Sequence, residues 1–144
     1  MMLYVDSGVL VKLYCVETDS SKAAGIVGLQ KPPFPFSHWQ EIEVRNALRL
    51  KAFRKEISEA QLDASFALID ADLDNGVLKR PGYDLAEVFK IAEFLSARYA
   101  LATGCRSLDI LHVATAQVVG AKLFCSFDSR QRELARMAGL RIIP

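Results

Sequence analysis

Two short apolar runs, Met2–Val5 and Leu123–Phe127, are each followed directly by an aspartate, and helical patterns fill most of the sequence between them. Short apolar runs bounded by turn signals are typical of buried strands. Apolar strands at both ends of a chain with helices between them pair in parallel, and the helices then cover the sheet. The pattern therefore predicts an α/β protein with a central, mostly parallel sheet flanked by helices.

The other segments complete this prediction. Further elements are expected as helices at Gly8–Val16, Ser20–Gln30, Trp39–Phe53, Ser58–Asp74, Asp84–Ala102, Ser107–Val119 and Arg130–Ala138, and as a last strand at Leu140–Ile143. Three prolines in Lys31–Ser37 favour a loop or a short edge strand. Ser37 and Ser58 are expected to cap helices, and Asn75-Gly76 and Gly139 to end them. No repeat or linker divides residues 1–144, so a single domain is expected.

The composition narrows the function without defining it. The net charge is only +1, so a nucleic acid would have to be attracted by a local basic patch. The three cysteines have no CxxC spacing, which favours free thiols in a reducing compartment. There is no signal-peptide pattern and no membrane-length apolar run, so a cytoplasmic location is expected. P-loop, GxGxxG and HExxH motifs are absent, which argues against the enzymes that use them.

Asp6 and Asp128 share one local pattern, in which an apolar run leads into an aspartate and then a helix. An aspartate at such a position commonly caps the helix, and capping would explain either residue alone. Adjacent parallel strands, however, would place both carboxylates at the same edge of the sheet. Ligands of parallel α/β folds bind outside the carboxyl ends of the strands, so the pair also indicates a site.

Helical geometry separates Glu43 from its neighbour Glu41. Glu43 lies on a mostly apolar helix face, whereas Glu41 has Arg45 and Arg49 at helical spacing and is expected to be a solvated ion-pair residue. Glu43 is therefore the carboxylate directed toward the core side. A helix-edge glutamate that reaches water and a functional acid are equally good interpretations of it.

Asp109 is the only charge between Ser107 and Ala121, in a helix expected to be central and buried. A first-turn aspartate suits the helix dipole, with Ser107 as the cap. That does not explain why a buried helix carries an acid, because a buried carboxylate normally needs a partner or a metal. His112 is interpreted as a hydrogen-bonded core residue and not as a metal ligand.

Four carboxylates in one place would repel each other unless a cation neutralised them. Oxygen ligands without histidine or cysteine suit a hard cation such as Mg²⁺ or Mn²⁺. Such an ion can hold phosphate oxygens and activate water for attack on a phosphodiester. If the acids converge, the expected chemistry is phosphoryl transfer to water.

Four segments, in this order, resemble the PIN-domain ribonucleases, most closely the VapC toxins of prokaryotic toxin–antitoxin pairs. The segments are LYVDSGVLVKLYCVE, EIEVRNALR, RSLDILHVATA and FCSFDSRQRELARMAGL. The resemblance implies a three-layer α/β/α fold and an endoribonuclease dependent on Mg²⁺ or Mn²⁺. Its implied catalytic and metal-binding acids are Asp6, Glu43, Asp109 and Asp128. Asp6, Asp109 and Glu43 would hold one metal, and Asp128 a second metal or the attacking water.

The resemblance also implies hydroxyl groups near the acids, at Ser7 and at Ser126, where the family usually has threonine. They would orient substrate or water. Gly8 departs from the serine, asparagine or alanine that the family more often has there, so a minor polar contact is lost.

The implied partners are an RNA, such as a transfer RNA or a ribosomal loop, and a small antitoxin that places a C-terminal segment in the acidic groove. A homodimer is also implied. Arg45, Arg49 and Arg54 are candidate RNA contacts, whereas Lys51 and Lys55 are expected to be solvated or to meet the antitoxin. The competing functions are an RNA-processing PIN nuclease without a toxin role and a non-catalytic interaction module of the same fold.

Overall fold

The computed structural model describes all 144 residues, which form seven helices and five short strands. The strands are β1 (Leu3–Val5), β2 (Phe34–Pro35), β3 (Leu78–Lys79), β4 (Leu123–Cys125) and β5 (Arg141–Ile143). The helices are α1 (Ser7–Tyr14), α2 (Ser20–Gly28), α3 (His38–Phe53), α4 (Glu59–Asp74), α5 (Leu85–Thr103), α6 (Ser107–Val118) and α7 (Ser129–Met137). No helix has the length and apolar character needed to cross a membrane.

All strand pairings are parallel, as predicted. β1, β4 and β5 form one sheet in that order, with Val5 opposite Cys125 and Cys125 opposite Ile143. β2 and β3 form a second parallel pair, and β2 packs beside β1. Because the strands are parallel, the residues that follow β1 and β4 meet at one edge of the sheet.

The core has two parts, one on each face of the sheet, because successive side chains of a strand point to opposite faces. Leu3 and Val5 join a cluster with residues of α1 to α4. Tyr4 and Phe124 point the other way, into a cluster with residues of α5, α6 and α7. Their rings stack with centroids 5.5 Å apart. Helices on both faces make the fold the predicted three-layer α/β/α arrangement.

The predicted helices are confirmed, with ends that shift by no more than two residues. The apolar run at Leu123–Phe127 is paired only as far as Cys125, so Ser126 and Phe127 lie beyond the strand end. β3 was not expected, because two residues of sequence carry too little pattern to mark a strand. The cap of α6 is Arg106 and not Ser107. Gly76 and Gly139 end helices at positive φ, as predicted.

Ser37 and Ser58 both cap their helices as predicted, and each forms a capping box with the glutamine three residues on. They differ in burial, since Ser37 is 1% exposed and its hydroxyl also meets the Tyr4 hydroxyl at 3.1 Å, whereas Ser58 is exposed.

This difference makes a matched test of stability possible. Replacing Ser58 by alanine should lower the free energy of unfolding by about 1 kcal/mol, the usual cost of losing a cap. Replacing Ser37 by alanine should cost about 2 kcal/mol or more, because a buried hydroxyl of Tyr4 also loses a partner. Urea unfolding monitored by circular dichroism measures both losses. Equal losses would show that the Tyr4 contact contributes nothing.

Candidate active site

Asp6 lies at the end of β1, where its backbone N–H donates to the Cys125 carbonyl at 2.9 Å. It is the N-cap of α1 by position, yet its side chain accepts no capping hydrogen bond. The carboxylate instead accepts from the Ser126 hydroxyl at 3.1 Å. Capping therefore does not explain this aspartate.

Gln131 is the second partner of Asp6. In the amide orientation that satisfies the surrounding groups, its nitrogen lies 2.9 Å from each Asp6 carboxylate oxygen and 3.2 Å from Ser126 Oγ. The side chain is only 1% exposed. Gln131 was not foreseen, although its spacing from Leu134 and Ala135 on the buried face of α7 was a readable signal.

Burial raises the pKa of Asp6 to about 6, because the charged form is poorly solvated there. The neighbouring His112 and the Ser126 hydroxyl oppose this shift, and Glu43 adds to it. Asp6 therefore carries an electrostatic cost in the ionised state that a bound cation would relieve.

Glu43 lies in the middle of α3 and is held from two sides. The Ser7 hydroxyl donates to its Oε1 at 3.0 Å, and His112 Nε2 contacts the same oxygen. Burial raises the pKa of Glu43, but the hydrogen bonds from His112 and Ser7 outweigh it, and the pKa is lowered overall. Ser7 is buried, so its hydroxyl faces Glu43 and not open solvent.

Asp109 lies in the first turn of α6 and accepts a hydrogen bond from the Arg106 backbone at 3.3 Å. Its pKa is raised by burial and by the nearby charge of Asp128. The expectation of a fully buried acid is wrong for Asp109, which is half-buried. The reason is that α6 is mostly buried from Ile110 to Ala116 but begins at the protein surface. Asp6 is the acid with the strongest desolvation.

Asp128 is exposed, and its Oδ1 accepts from the Gln131 backbone N–H at 2.9 Å. The capping interpretation of Asp128 is therefore confirmed. Ser126, which is fully buried, accepts from the Asp128 backbone N–H at 3.0 Å. Ser126 thus connects the two strand-end aspartates, since the same hydroxyl donates to Asp6.

The four predicted acids open onto two adjoining hollows. One, of about 510 Å³, is lined by Glu43, Asp109 and Asp128, and the other, of about 470 Å³, by Asp6 and Asp128. Because Asp128 lines both, we treat them as one feature, the acidic groove.

The donor set fits a hard divalent cation in an open site. All four side chains offer carboxylate oxygens, and burial raises the pKa of two of them. No three of these side chains enclose a ready-made metal cage. A cation held here would therefore have to rely on one or two carboxylates together with waters and phosphate oxygens, as Mg²⁺ usually does.

Cationic side chains line both hollows. Lys12, Lys51 and Arg54 lie around the Asp6 hollow, and Arg106 and Arg130 around the Asp109 hollow. Both lysines also pair with Glu17, and Arg54 pairs with Glu56.

Of the predicted RNA contacts, the structure brings only Arg54 to the groove. Arg45 pairs with Glu41 and Asp70, and both Arg45 and Arg49 pack over the Phe66 ring between α3 and α4. The prediction that Glu41 is an ion-pair residue is confirmed, with Arg80 as a further partner.

A three-layer parallel α/β fold with carboxylates gathered at one sheet edge and cations beside them defines a class of protein suited to phosphodiester chemistry. The PIN domain model matches residues 3–137, so the chain belongs to the PIN domain family. PIN domains are generally nucleases, and those nucleases generally use divalent metals. Comparison with curated proteins gave no match.

Proposed function

We propose that this protein is an endoribonuclease dependent on Mg²⁺ or Mn²⁺ and acts as the cytoplasmic toxin of a toxin–antitoxin pair. The observation that carries the proposal is the acidic groove, onto which Asp6, Glu43, Asp109 and Asp128 all open. Family membership supports nuclease chemistry, and the resemblance of four ordered segments to VapC toxins supports the biological role.

Each residue has a definite part in this proposal. Asp6, Asp109 and Glu43 would hold the cation, directly or through waters that such an ion keeps, and the bound cation lowers the pKa of water and neutralises charge on the phosphate. Ser126 and Gln131 orient both oxygens of Asp6, and His112 together with Ser7 favours the ionised form of Glu43. Asp128 uses only Oδ1 for capping. Its other oxygen can orient the attacking water or help to bind a second ion.

The cations beside the acids support a strand of nucleic acid as the substrate. Lys12, Lys51 and Arg54 border one hollow, and Arg106 and Arg130 border the other. A single strand crossing the groove would place flanking phosphates near these side chains and the scissile phosphate near the carboxylates. Exposed loops of transfer RNA or ribosomal RNA offer such strands.

Mapping of RNA ends in cells tests the proposed activity and its target together. The wild type should produce discrete new ends after induction, and Asp6→Asn should produce none. Asp63→Asn is the matched control, because Asp63 is an exposed residue of α4 that lines neither hollow. New ends in the Asp6→Asn culture at the wild-type level would refute the assignment of the site.

The contribution of the flanking cations is measurable by the salt dependence of RNA binding. In the catalytically silent Asp6→Asn background, Arg106→Gln and Arg130→Gln should each reduce the slope of log K against log salt by about 0.7, the value for one lost phosphate contact on a single strand. Arg49→Gln should leave the slope unchanged, since Arg49 packs on Phe66 away from the groove. Fluorescence anisotropy at several salt concentrations gives the slopes. Similar slopes for all three variants would place the strand elsewhere.

The proposed partners are a small antitoxin and a second copy of the chain. A cationic antitoxin segment would complement the acidic groove, and exposed apolar side chains such as Phe53, Phe94 and Leu101 offer surface for protein contacts. Growth arrest on induction, relieved by a neighbouring antitoxin gene, would support the toxin role. RNA cleavage without growth arrest would favour an RNA-processing nuclease. A protein without either cleavage or metal binding would be an interaction module.

A further inference from the structure

A chain of buried polar side chains leads from the core to the acidic groove. The Ser37 hydroxyl lies 3.1 Å from the Tyr4 hydroxyl, and the Tyr4 hydroxyl lies 2.8 Å from His112 Nδ1. His112 Nε2 then contacts Glu43 Oε1. Ser37, Tyr4 and His112 are each at most 1% exposed, whereas the Glu43 side chain is 35% exposed. The chain therefore ends on an acid that reaches the groove.

When His112 is neutral, these four side chains can satisfy their hydrogen bonds with only one assignment of donors and acceptors. The ionised Glu43 can only accept, so His112 carries its proton on Nε2 and donates it. Nδ1 must then accept from the Tyr4 hydroxyl, and the Tyr4 oxygen is left to accept from Ser37. Ser37 Oγ in turn accepts from the Gln40 backbone. No buried polar side-chain atom is left without a partner.

We propose that His112 is a positioning residue, which holds Glu43 in one orientation at the groove, and that Tyr4 fixes the His112 tautomer that does so. The inference rests on the proposed metal-dependent function, because its consequence is a preorganised carboxylate ligand. His112 occupies only Oε1, so Oε2 of Glu43 stays available to a cation. The arrangement mirrors metal sites in which a hydrogen-bonded outer group orients a ligand, and loss of such a group typically weakens metal binding 10- to 100-fold.

A purely structural histidine would be explained by its packing in the core, where it meets the Tyr4 ring edge-on at 5.9 Å. Packing in the core leaves two features of His112 unexplained. Both ring nitrogens are hydrogen-bonded, and the outer partner is a carboxylate of the groove instead of a backbone carbonyl. Ser7 contacts the same Glu43 oxygen, so two buried donors converge on it.

Mn²⁺ titration by calorimetry, together with ¹⁵N spectra of the histidines, tests the proposal in the intact protein. The metal-free wild type should show His112 as a single tautomer protonated on Nε2. His112→Leu should weaken Mn²⁺ binding 10- to 100-fold, and His112→Gln, which retains a donor, should recover part of the loss. Tyr4→Phe should give mixed tautomer signals and weaker Mn²⁺ binding. It leaves the ring in place, so it tests the proposal even if His112→Leu does not fold.

Thr115→Val is the matched control. Thr115 lies in the same helix as His112, and its loss breaks the hydrogen bond from Trp39 but none of those that join Ser37, Tyr4, His112 and Glu43. It should leave both readouts unchanged. Two results would overturn the inference but not the proposed function. One is wild-type Mn²⁺ affinity in the His112→Gln and Tyr4→Phe variants, and the other is a His112 protonated on Nδ1 in the wild type. A wild type that binds no Mn²⁺ would overturn the proposed metal-dependent function, and the inference with it.

Discussion

Asp6→Asn should reduce RNA cleavage by at least about 10³-fold and, in the absence of metal, make the protein more stable. The loss of activity follows from removing a carboxylate that would hold the cation, an effect of several kcal/mol at about 1.4 kcal/mol per factor of ten. The gain in stability follows from the environment of Asp6. Burial raises its pKa from 3.8 to about 6, so ionised Asp6 costs folding up to about 3 kcal/mol at neutral pH.

The neighbouring groups can accept this substitution. The Gln131 amide has two orientations, and the one that turns Oε1 toward residue 6 would accept from the new asparagine amide. The Ser126 hydroxyl can still donate to the remaining carbonyl oxygen. The substitution creates no large cavity, so the relief of charge burial should dominate the change in stability.

The diagnostic result for Asp6→Asn is a loss of RNA cleavage together with a gain in the free energy of unfolding. Urea unfolding at pH 7.5 with a chelator gives the stability, and cleavage of total RNA with Mn²⁺ gives the activity. Asp128→Asn is an informative comparison, because Asp128 is exposed and caps α7. It should lose activity with little gain or a small loss of stability. A destabilised Asp6→Asn protein would mean that Asp6 is a structural acid.

Sequence pattern predicted the fold well, because each element has a local physical cause. Apolar runs marked β1 and β4, and serine caps marked the starts of α3 and α4. β3 escaped prediction because it has only two residues and depends on pairing with β2, a contact 44 positions away along the chain. Pairing at that distance leaves no periodic signal in either segment.

Sequence position also selected the four acids that line the groove, whose role stays a proposal, but it did not reveal their environments. Strand-end position selected Asp6 and Asp128, and helix-face geometry selected Glu43 over Glu41. Which acid is most deeply desolvated depends on how Ser126 and Gln131 close over β1, and no local rule gives that packing. Asp109 was expected to be the buried acid, yet it lies at the exposed start of α6.

The supporting polar residues were the hardest to foresee. His112 was correctly interpreted as a hydrogen-bonded core residue, but nothing in its helix indicated that its partners would be Tyr4 and Glu43. These three residues come from β1, α3 and α6. Their contact is a consequence of tertiary packing, which brings together side chains that are 39 and 69 positions apart along the chain.

If Asp6 holds the cation as proposed, divalent cation binding should weaken about tenfold between pH 7 and pH 5, because protons would compete with the cation for Asp6. A ligand must be deprotonated to bind metal. With a pKa of about 6, most Asp6 is ionised at pH 7 and only about a tenth at pH 5. The pKa of Asp109 is also raised, by burial and by Asp128, which adds to the same trend. Glu43 should contribute little, since its pKa is lowered overall.

The raised pKa of Asp6 also makes the stability of the metal-free protein depend on pH. Because the pKa of Asp6 is higher in the folded state, the folded protein binds more protons than the unfolded chain between pH 3.8 and about 6. The contribution of Asp6 to stability is therefore complete below about pH 4 and is lost as the pH rises through about 6.

A cation that binds only the folded protein restores stability by mass action. The melting temperature should accordingly rise more at pH 7.5 than at pH 5 when about 5 mM Mn²⁺ is added. Asp6→Asn should abolish most of this difference. A rise in melting temperature that is independent of pH in the wild type would show that the cation binds without displacing the Asp6 proton, and would remove Asp6 from the set of metal ligands.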